Sequence, residues 1–311
     1  MSEPVGVLLM HYGTASGPGD VERYYTDIRG GRDPSPEAVE DLKRRYAAIG
    51  NTFPLARITR EQAEALEAEL NTRGGGRFRV YVGAKHSPPF VGDAVRRMAD
   101  EGIRFGVGVV LAPHYSKMSV GGYIDRARRA QPDGLELTFV ESWHLHPAFL
   151  EVLTERVADA LEQLTNDERS EALVIFTAHS LPARIVEEGD PYPEQIRETG
   201  EAVATRLGLE RWTTGWQSAG RTPEPWLGPP LDESVEKAAA EGYTAVVVVP
   251  CGFVADHLEI LYDVDIEARQ AAERASIRLV RTRSMNADPA FIRALADVVT
   301  QHVVGGREET T

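Results

Sequence analysis

Three acidic side chains recur every four residues in the segment CGFVADHLEILYDVDIEA (251–268): Glu259, Asp263 and Glu267, called the acid row below. On an α-helix, residues at i, i+4 and i+8 share one face, so these like charges repel and destabilise the helix. A row kept despite this repulsion suits a chemical role, such as passing a hydrated cation along or carrying protons away. Crowding also predicts that at least one of these carboxyl groups has a raised pKa, which favours proton exchange near neutral pH.

A histidine stands at the end of a predicted strand elsewhere in the chain. His179 follows the apolar run ALVIFTA, and the residues SLP at 180–182 predict a turn, since proline biases the residue before it away from helix. Imidazole and carboxylate together suit a divalent first-row metal. The predicted metal ligands are His179 and Glu259, continued by Asp263 and Glu267. Two ligands are too few for a tight, permanent site, so we expect metal to bind there transiently.

A dispersed set of aromatic and basic side chains suits a flat ligand. Aromatic rings offer faces, and arginines offer bidentate donors to carboxylates. Together they predict a binding site for a flat, aromatic, carboxylated molecule. The set comprises Tyr24, Tyr25, Arg29, Arg45, Tyr46 and Tyr123, and Tyr12 stands separately at the end of the first predicted strand.

Eight short apolar runs alternate with amphipathic helical segments. Runs rich in Val, Ile and Leu that alternate with helices are typical of parallel sheets covered on both faces. The sequence therefore predicts an α/β fold of two similar halves, each a four-stranded parallel sheet flanked by helices. The predicted strands are 5–13, 78–86, 106–116, 135–142, 172–180, 211–218, 244–252 and 277–284.

A helix near residues 147–164 separates the first four strands from the last four. We therefore expect an N-terminal half at 1–146 and a C-terminal half at 147–311, with a last helical segment near 289–303 that could pack on either half. In open parallel sheets, ligands bind outside the carboxyl ends of the strands. In this sequence those ends carry HYGT, KHSPPF, PHYS and TAHSLP.

Charge and cysteine content narrow the partners and cofactors. The 311 residues carry a formal net charge of −14, which argues against nucleic acid or an anionic membrane surface as a partner. A single cysteine, Cys251, excludes an intramolecular disulfide and a four-cysteine iron–sulfur or zinc site. The N-terminus does not resemble a signal peptide, and the longest apolar stretch, 244–255, is shorter than the ~20 residues of a membrane span. We expect a soluble, cytoplasmic protein.

Common nucleotide-binding and hydrolase motifs are absent from the sequence. No G-x-G-x-x-G opens a helix, and no G-x-x-x-x-G-K-[ST] occurs. H-E-x-x-H, C-x-x-C and G-x-S-x-G are missing as well. The candidate chemistry therefore rests on His179, the acid row and the aromatic set.

The chain resembles the ferrochelatase family, and within it the soluble bacterial coproporphyrin III ferrochelatases. The motifs that carry the resemblance are LLMHYGT, VERYYTDIRGGRDPSPE, RYAAIGNTFPLARIT, GAKHSPPF, APHYSKMSVGGYI, TAHSLP, WQSAGRTPEPWLGP and PCGFVADHLEILYDVDIEA, in this order. The resemblance implies two Rossmann-like halves with a porphyrin cleft between them. It implies a lyase of haem biosynthesis that inserts Fe²⁺ into coproporphyrin III and releases two pyrrole protons. Iron is then a substrate, and no tightly bound cofactor is expected.

The resemblance also implies roles for individual residues. The catalytic histidine and glutamate of the family fall on His179 and Glu259, and its line of carboxylates continues at Asp263 and Glu267. Its tyrosine below the porphyrin iron falls on Tyr12. Its contacts to the porphyrin propionates fall on Arg29, Arg45, Tyr46 and Tyr123.

The sequence departs from the family pattern at one porphyrin contact. GNTFPL stands where the family often has GGxSPL, so a frequent serine contact to a propionate falls on Phe53, with Thr52 beside it. Both residues belong to the predicted porphyrin-binding set. Cys251 alone cannot hold the iron–sulfur cluster that some relatives carry, and the tails or hydrophobic lips of membrane-attached relatives are missing. We expect a monomer that makes transient contacts with other haem-pathway enzymes.

The expected mechanism has neutral His179 and Glu259 on one face of a porphyrin that is bent out of plane, with strain of about 1–5 kcal/mol. One of the two takes the pyrrole protons or delivers the iron, and the sequence leaves open which does which. Tyr12 lies on the opposite face. One alternative is a non-catalytic haem or metalloporphyrin carrier, which needs a ligand such as Tyr12 but no acid row. Another is a cobalt chelatase for a different tetrapyrrole, since affinity for N and O ligands rises from Fe²⁺ to Co²⁺.

Overall fold

The computed structural model of the chain describes residues 3–74, 77–220 and 222–308. It contains eight strands in two four-stranded parallel sheets, with helices around both. The predicted α/β fold class with two four-stranded parallel sheets is therefore confirmed. Over the described part of the chain, none of the helices has both the length and the apolar run needed to cross a bilayer.

The chain divides into two compact units. Unit 1 consists of Met1–Trp143 and Met285–Thr311, and unit 2 is His144–Ser284. The last helix, Pro289–Glu308, thus belongs to unit 1 rather than to a continuous C-terminal half, because it packs on a helix and two strands of unit 1.

In unit 1 the strand order is β2-β1-β3-β4. Every position of β1 is buried, as expected for a central strand covered on both faces. The strands are β1 (Val5–His11), β2 (Phe78–Ala84), β3 (Phe105–Val110) and β4 (Glu136–Val140). The helices are α1 (Val21–Ile28), α2 (Pro36–Ala48), α3 (Leu55–Gly74), α4 (Val91–Asp100) and α5 (Gly122–Ala130). The unit also contains a 3₁₀ turn (Pro18–Asp20), a π-helix (Lys117–Gly121) and the last helix of the chain.

Unit 2 repeats this strand order as β6-β5-β7-β8. The strands are β5 (Ala172–His179), β6 (Trp212–Gln217), β7 (Ala245–Val249) and β8 (Arg278–Arg281). The helices are α6 (Pro147–Glu162), α7 (Asn166–Ser170), α8 (Arg184–Glu187), α9 (Tyr192–Leu207), α10 (Leu231–Ala240), α11 (Leu258–Leu261) and α12 (Arg269–Arg274), with a π-helix at Asp263–Ala268. Pro289–Glu308 is accordingly α13.

Both sheets change direction of winding next to their first strand. In each unit the second strand lies on one side of the first strand and the third strand lies on the other. The carboxyl ends of the first and third strands of such a sheet form the switch point, where α/β folds bind ligands. In unit 2, β5 ends with His179, and β7 leads within ten residues to Glu259.

The segment 251–268 does not place the acid row on the single α-helix that its i, i+4 and i+8 spacing assumed. It contains the short α11 and then the π-helix Asp263–Ala268, in which the Glu267 amide donates to the carbonyl of Tyr262, five residues back, at 2.9 Å. Four residues exceed one α-turn of 3.6 residues but fall short of the wider π-turn. The acid row therefore spans two helix types, and its members differ in burial, since Asp263 is buried and Glu267 is exposed.

Candidate active site

His179 lies at the carboxyl end of β5, with its ring orientation fixed by its neighbours. Its Nδ1 donates to the carbonyl oxygen of Ser180, and its own carbonyl accepts from the Tyr192 hydroxyl at 3.1 Å. Because a carbonyl oxygen only accepts, Nδ1 must carry a proton. Nε2 is then the nitrogen that gains or loses a proton, and it faces Glu259.

Glu259 forms an ion pair with His179. Its Oε1 lies 3.5 Å from His179 Nε2. The exposed fraction of the side chain is 34% for His179 and 27% for Glu259. Burial disfavours the imidazolium, but the Glu259 carboxylate, together with the Ser180 carbonyl and Asp263, more than offsets this and raises the pKa of His179 to about 9. At neutral pH the pair is therefore imidazolium and carboxylate, whereas the sequence-based mechanism assumed neutral His179.

The expected rise in a carboxyl pKa does not occur at Glu259. Burial works in that direction, but the imidazoles of His179 and His257 outweigh it and hold the Glu259 pKa well below its usual range. His257 Nε2 lies 3.5 Å from the second carboxylate oxygen, Oε2. Glu259 thus lies between two imidazoles, each facing a different oxygen.

The rest of the acid row differs in exposure. Asp263 is buried, and its Oδ2 accepts a hydrogen bond from the Ser218 hydroxyl. Glu267 is exposed in the π-helix. The acid row therefore leads from the half-buried Glu259 past a buried carboxylate to a solvent-facing one. Within the described ranges, no group of three or more His, Cys, Asp and Glu side chains has the placement to hold a metal ion.

In unit 1, Tyr12 directly follows β1 and is 41% exposed. Its ring lies against His86, with ring centroids 4.7 Å apart and planes tilted by 59°. His86 is buried, and its Nδ1 lies 2.7 Å from the Asp27 carboxylate. Burial outweighs Asp27 and lowers the pKa of His86 to about 4, so the ring is neutral at pH 7 with Nδ1–H donating to Asp27.

Three residues of the predicted porphyrin-binding set lie close together around α2. Tyr46 is buried and stacks on Phe53 at 4.2 Å, with planes 23° apart. The Tyr46 hydroxyl is 3.4 Å from that of Thr14, two residues beyond Tyr12. Thr52 is exposed, and its hydroxyl donates to the carbonyl of Ile49 at 3.2 Å.

The other three predicted propionate contacts have different surroundings. Arg29 is exposed at the end of α1, with its guanidinium 6.0 Å from the centre of the Tyr25 ring, and Arg45 is half-buried in the last turn of α2. Tyr123 is buried, and the Lys85 ammonium lies 4.9 Å from the centre of its ring. Burial, with a smaller contribution from a nearby arginine, lowers the pKa of Lys85 to about 8.

Comparison with known proteins gives one consistent family. The sequence profile described as Ferrochelatase matches residues 4–303. The chain is 47% identical over 303 residues to a protein named coproporphyrin III ferrochelatase from Geobacillus kaustophilus, covering 96% of each chain. It is 46% identical over 299 residues to the protein of that name from Bacillus subtilis, covering 95% of this chain and 96% of the relative.

The chain belongs to the ferrochelatase family. It is thus an enzyme, a metal chelatase of the lyase class, and the family implies a porphyrin substrate. Solved structures agree with the fold. SirB from Bacillus subtilis with Fe³⁺ aligns with a TM-score of 0.58 at 10% identity, covering 96% of this chain and 95% of SirB.

The sequence interpretation missed two histidines of this ferrochelatase-family chain. His257 stands two residues before Glu259 in the same quoted segment, and His86 stands at the carboxyl end of β2 within KHSPPF. The rule that placed His179 at a strand end applies equally to His86. A search for imidazoles within one turn of each carboxylate would have found His257.

The chelatase fold of unit 2 has a tight contact that positions the end of β5. A Cβ added at Gly252 would lie 2.6 Å from the Cβ of Ala178 and 2.9 Å from its Cα. Gly252→Ala is therefore expected to lower the free energy of unfolding by about 1–3 kcal/mol and to slow iron insertion, because Ala178 directly precedes His179. Urea unfolding followed by far-UV circular dichroism, together with a turnover assay, measures both effects.

Gly19→Ala is the matched control for this prediction. No atom lies within 4 Å of a Cβ at Gly19, so the free energy of unfolding should change by less than about 0.5 kcal/mol. Equal stability of the Gly252 and Gly19 variants would contradict the close approach of the two backbones.

A cavity of about 650 Å³ also lies in unit 2, beside β8 and α12. The residues that line it include none of the predicted site residues. Its arginines face carboxylates of the same unit, as in the pairs Arg281–Asp265, Arg278–Glu168 and Arg283–Asp159. The chemistry described above therefore lies outside this cavity.

Proposed function

We propose that the protein inserts Fe²⁺ into coproporphyrin III to give Fe-coproporphyrin III (coproheme) in haem biosynthesis. The observation that carries this proposal is the His179–Glu259 pair at the switch point of unit 2, continued by a carboxylate row that reaches solvent. The names of the relatives at 46–47% identity support the choice of porphyrin. The overall reaction is porphyrin plus Fe²⁺ giving metalloporphyrin plus two protons.

We assign the proton step to His179. The resting imidazolium cannot accept a proton, so it must first lose the one on Nε2. An approaching dication lowers the pKa of a neighbouring imidazolium, because like charges disfavour each other. The approach of Fe²⁺ therefore frees Nε2 to take a pyrrole proton while Nδ1 stays bonded to Ser180.

We assign iron delivery and proton exit to the acid row. Glu259 stays ionised at every physiological pH and attracts the hydrated cation, whose approach then displaces the imidazolium proton. Asp263 and Glu267 extend the path to solvent for the two protons that the porphyrin releases. Two protons leave for each iron that enters, so net charge at the site is conserved over one turnover.

The porphyrin carboxylates are proposed to bind the cationic and hydroxyl groups of unit 1. Arg29 and Arg45 supply the charge, Tyr46 and Tyr123 supply hydroxyls, and Thr52 with Phe53 completes the set. Tyr12, held against His86, is the proposed contact to the porphyrin iron. The protein is further proposed to act as a cytoplasmic monomer with no tightly bound cofactor and no iron–sulfur cluster, and to meet other haem-pathway enzymes transiently.

The substrate assignment predicts a preference for coproporphyrin III over protoporphyrin IX. Coproporphyrin III has four carboxylates and protoporphyrin IX has two, and one more charge-assisted hydrogen bond is worth about 1.5–3 kcal/mol. We therefore expect kcat/KM to be at least about tenfold higher for coproporphyrin III. The measurement is anaerobic Fe²⁺ insertion, followed by loss of the free-porphyrin Q bands.

A pair of neighbouring arginines provides the control. Arg45→Ala should raise the KM for coproporphyrin III, whereas Arg44→Ala should not, because Arg44 is largely exposed and paired with Asp41.

A protein that binds coproheme without accelerating its formation would be a carrier, and one that inserts only Co²⁺ would be a cobalt chelatase. Either result would overturn the proposed function.

A further inference from the structure

The carboxyl end of β6 contacts both the strand that carries His179 and the segment that carries the acid row. Gln217, the last residue of β6, pairs in register with His179 of β5 and is buried. Its backbone carbonyl accepts from the Ser180 amide at 2.7 Å. The end of β6 is thus tied to the turn that fixes the His179 ring.

The Gln217 side chain bridges the two parts of the site. Its Oε1 accepts from the Thr177 hydroxyl at 2.9 Å, and its Nε2 donates to the backbone carbonyl of Glu259 at 2.8 Å. The Glu259 carbonyl can only accept, so the amide orientation is determined by its partners. Moving α11 away from β5 would break this bridge and leave a buried amide group unsatisfied.

Ser218 makes the second connection through an unusual backbone conformation. Its φ is +62°, in the left-handed region that is unfavourable for residues other than glycine. Its hydroxyl donates to Oδ2 of Asp263. Strained backbone persists where the surrounding structure enforces it, and it is concentrated at functional sites. Here the conformation aims the hydroxyl at the second carboxylate of the acid row.

We propose that Gln217 and Ser218 form a positioning element that sets the acid row relative to His179. This inference rests on the proposed function, since it assigns the residues that align its metal path. Gln217 fixes Glu259 through the backbone, and Ser218 fixes Asp263 through the carboxylate. Neither residue exchanges protons or binds porphyrin.

Ser218→Gly separates this role from a merely structural one. Glycine accepts φ of +62° without strain, so the relief of strain offsets part of the loss of the hydrogen bond to Asp263, and the variant should still fold. The lost hydrogen bond is to the charged Asp263 carboxylate, and such bonds contribute more free energy than neutral ones. We therefore expect the KM for Fe²⁺ to rise about tenfold. The KM for coproporphyrin III should stay within about twofold of the wild-type value.

Ser276→Gly is the matched control, because Ser276 is an exposed serine of the same unit with φ of +54°. The Ser276→Gly variant gains the same relief of backbone strain and should leave the KM for Fe²⁺ and the KM for coproporphyrin III unchanged. Gln217→Glu is the second variant: it can accept from Thr177 but cannot donate to the Glu259 carbonyl, and it should lower kcat. Thermal melts of all three variants report folding.

Calorimetric titration with Zn²⁺ alone, without porphyrin, tests the positioning element independently of turnover. Zn²⁺ should bind Ser218→Gly about tenfold more weakly than it binds the wild-type protein or Ser276→Gly. Equal or absent Zn²⁺ binding in all three proteins would overturn the positioning role. A wild-type protein that binds Zn²⁺ but inserts no iron would instead overturn the proposed function.

Discussion

His179→Ala is expected to lower the rate of iron insertion by about 10²–10⁴-fold, the usual contribution of a positioned general base. The variant removes the one imidazole at the end of β5, whose Nε2 faces Glu259 at 3.5 Å. Alanine leaves no nitrogen at the end of β5 to receive the pyrrole protons. The measurement is anaerobic turnover with Fe²⁺ and coproporphyrin III at saturating substrate.

His144→Ala is the control for this loss. His144 belongs to the same unit and also pairs with a carboxylate, since its Nε2 lies 2.8 Å from Glu198. It lies outside the predicted site, so its removal should affect stability more than turnover. If His179→Ala kept near-normal turnover while folded by circular dichroism, the assignment of the proton step would be wrong.

Glu259→Gln is expected to lower the pKa of His179 from about 9 to below its usual value near 6.5. The glutamine keeps the shape of the side chain but removes the charge that stabilises the imidazolium. Burial remains, and burial favours the neutral ring. The Nε2 proton should therefore be lost at a much lower pH in the variant, and the two-dimensional NMR signal of the His179 ring measures this midpoint.

Asp263→Asn provides the graded comparison. Asp263 also favours the imidazolium, but its contribution is smaller than that of Glu259. Its removal should lower the His179 pKa by less than Glu259→Gln does. A His179 pKa that stays near 9 in Glu259→Gln would show that a group other than Glu259 stabilises the imidazolium. Glu259→Gln should also slow iron insertion strongly, because the first carboxylate of the acid row is lost.

The resting ion pair has a consequence for the order of events. An imidazolium and an approaching dication disfavour each other, so metal entry and loss of the Nε2 proton are expected to be coupled. This coupling needs both partners at close range.

The strands were predictable because their signal is local. Val-rich runs such as β7 and the fully buried β1 match the predicted 244–252 and 5–13, although the strands end earlier, at Val249 and His11. The predictions ran too far because apolar residues continue into the loops. In the third run, predicted as 106–116, β3 ends at Val110, and Pro113 beyond it has no amide proton for a sheet hydrogen bond.

The acid row shows where local reasoning stops. The spacing of Glu259, Asp263 and Glu267 was interpreted on an α-helix, but whether a turn is α or π depends on how its side chains pack on the rest of the unit. The same spacing suggested mutual repulsion and a raised carboxyl pKa. That argument considered only carboxylates. It overlooked His257, two residues before Glu259, and it could not include His179, whose distance to Glu259 is set by the fold.

The amino-acid sequence by itself determined the two α/β halves, the family, and the residue types at the strand ends, since these follow from composition and order along the chain. Only the tertiary structure decided the charge state of His179, the bridge through Gln217, the strained serine at 218 and the assignment of α13 to unit 1. These features depend on distances between residues that are far apart in the chain. Electrostatic and hydrogen-bond energies vary steeply with such distances, so no local pattern could supply them.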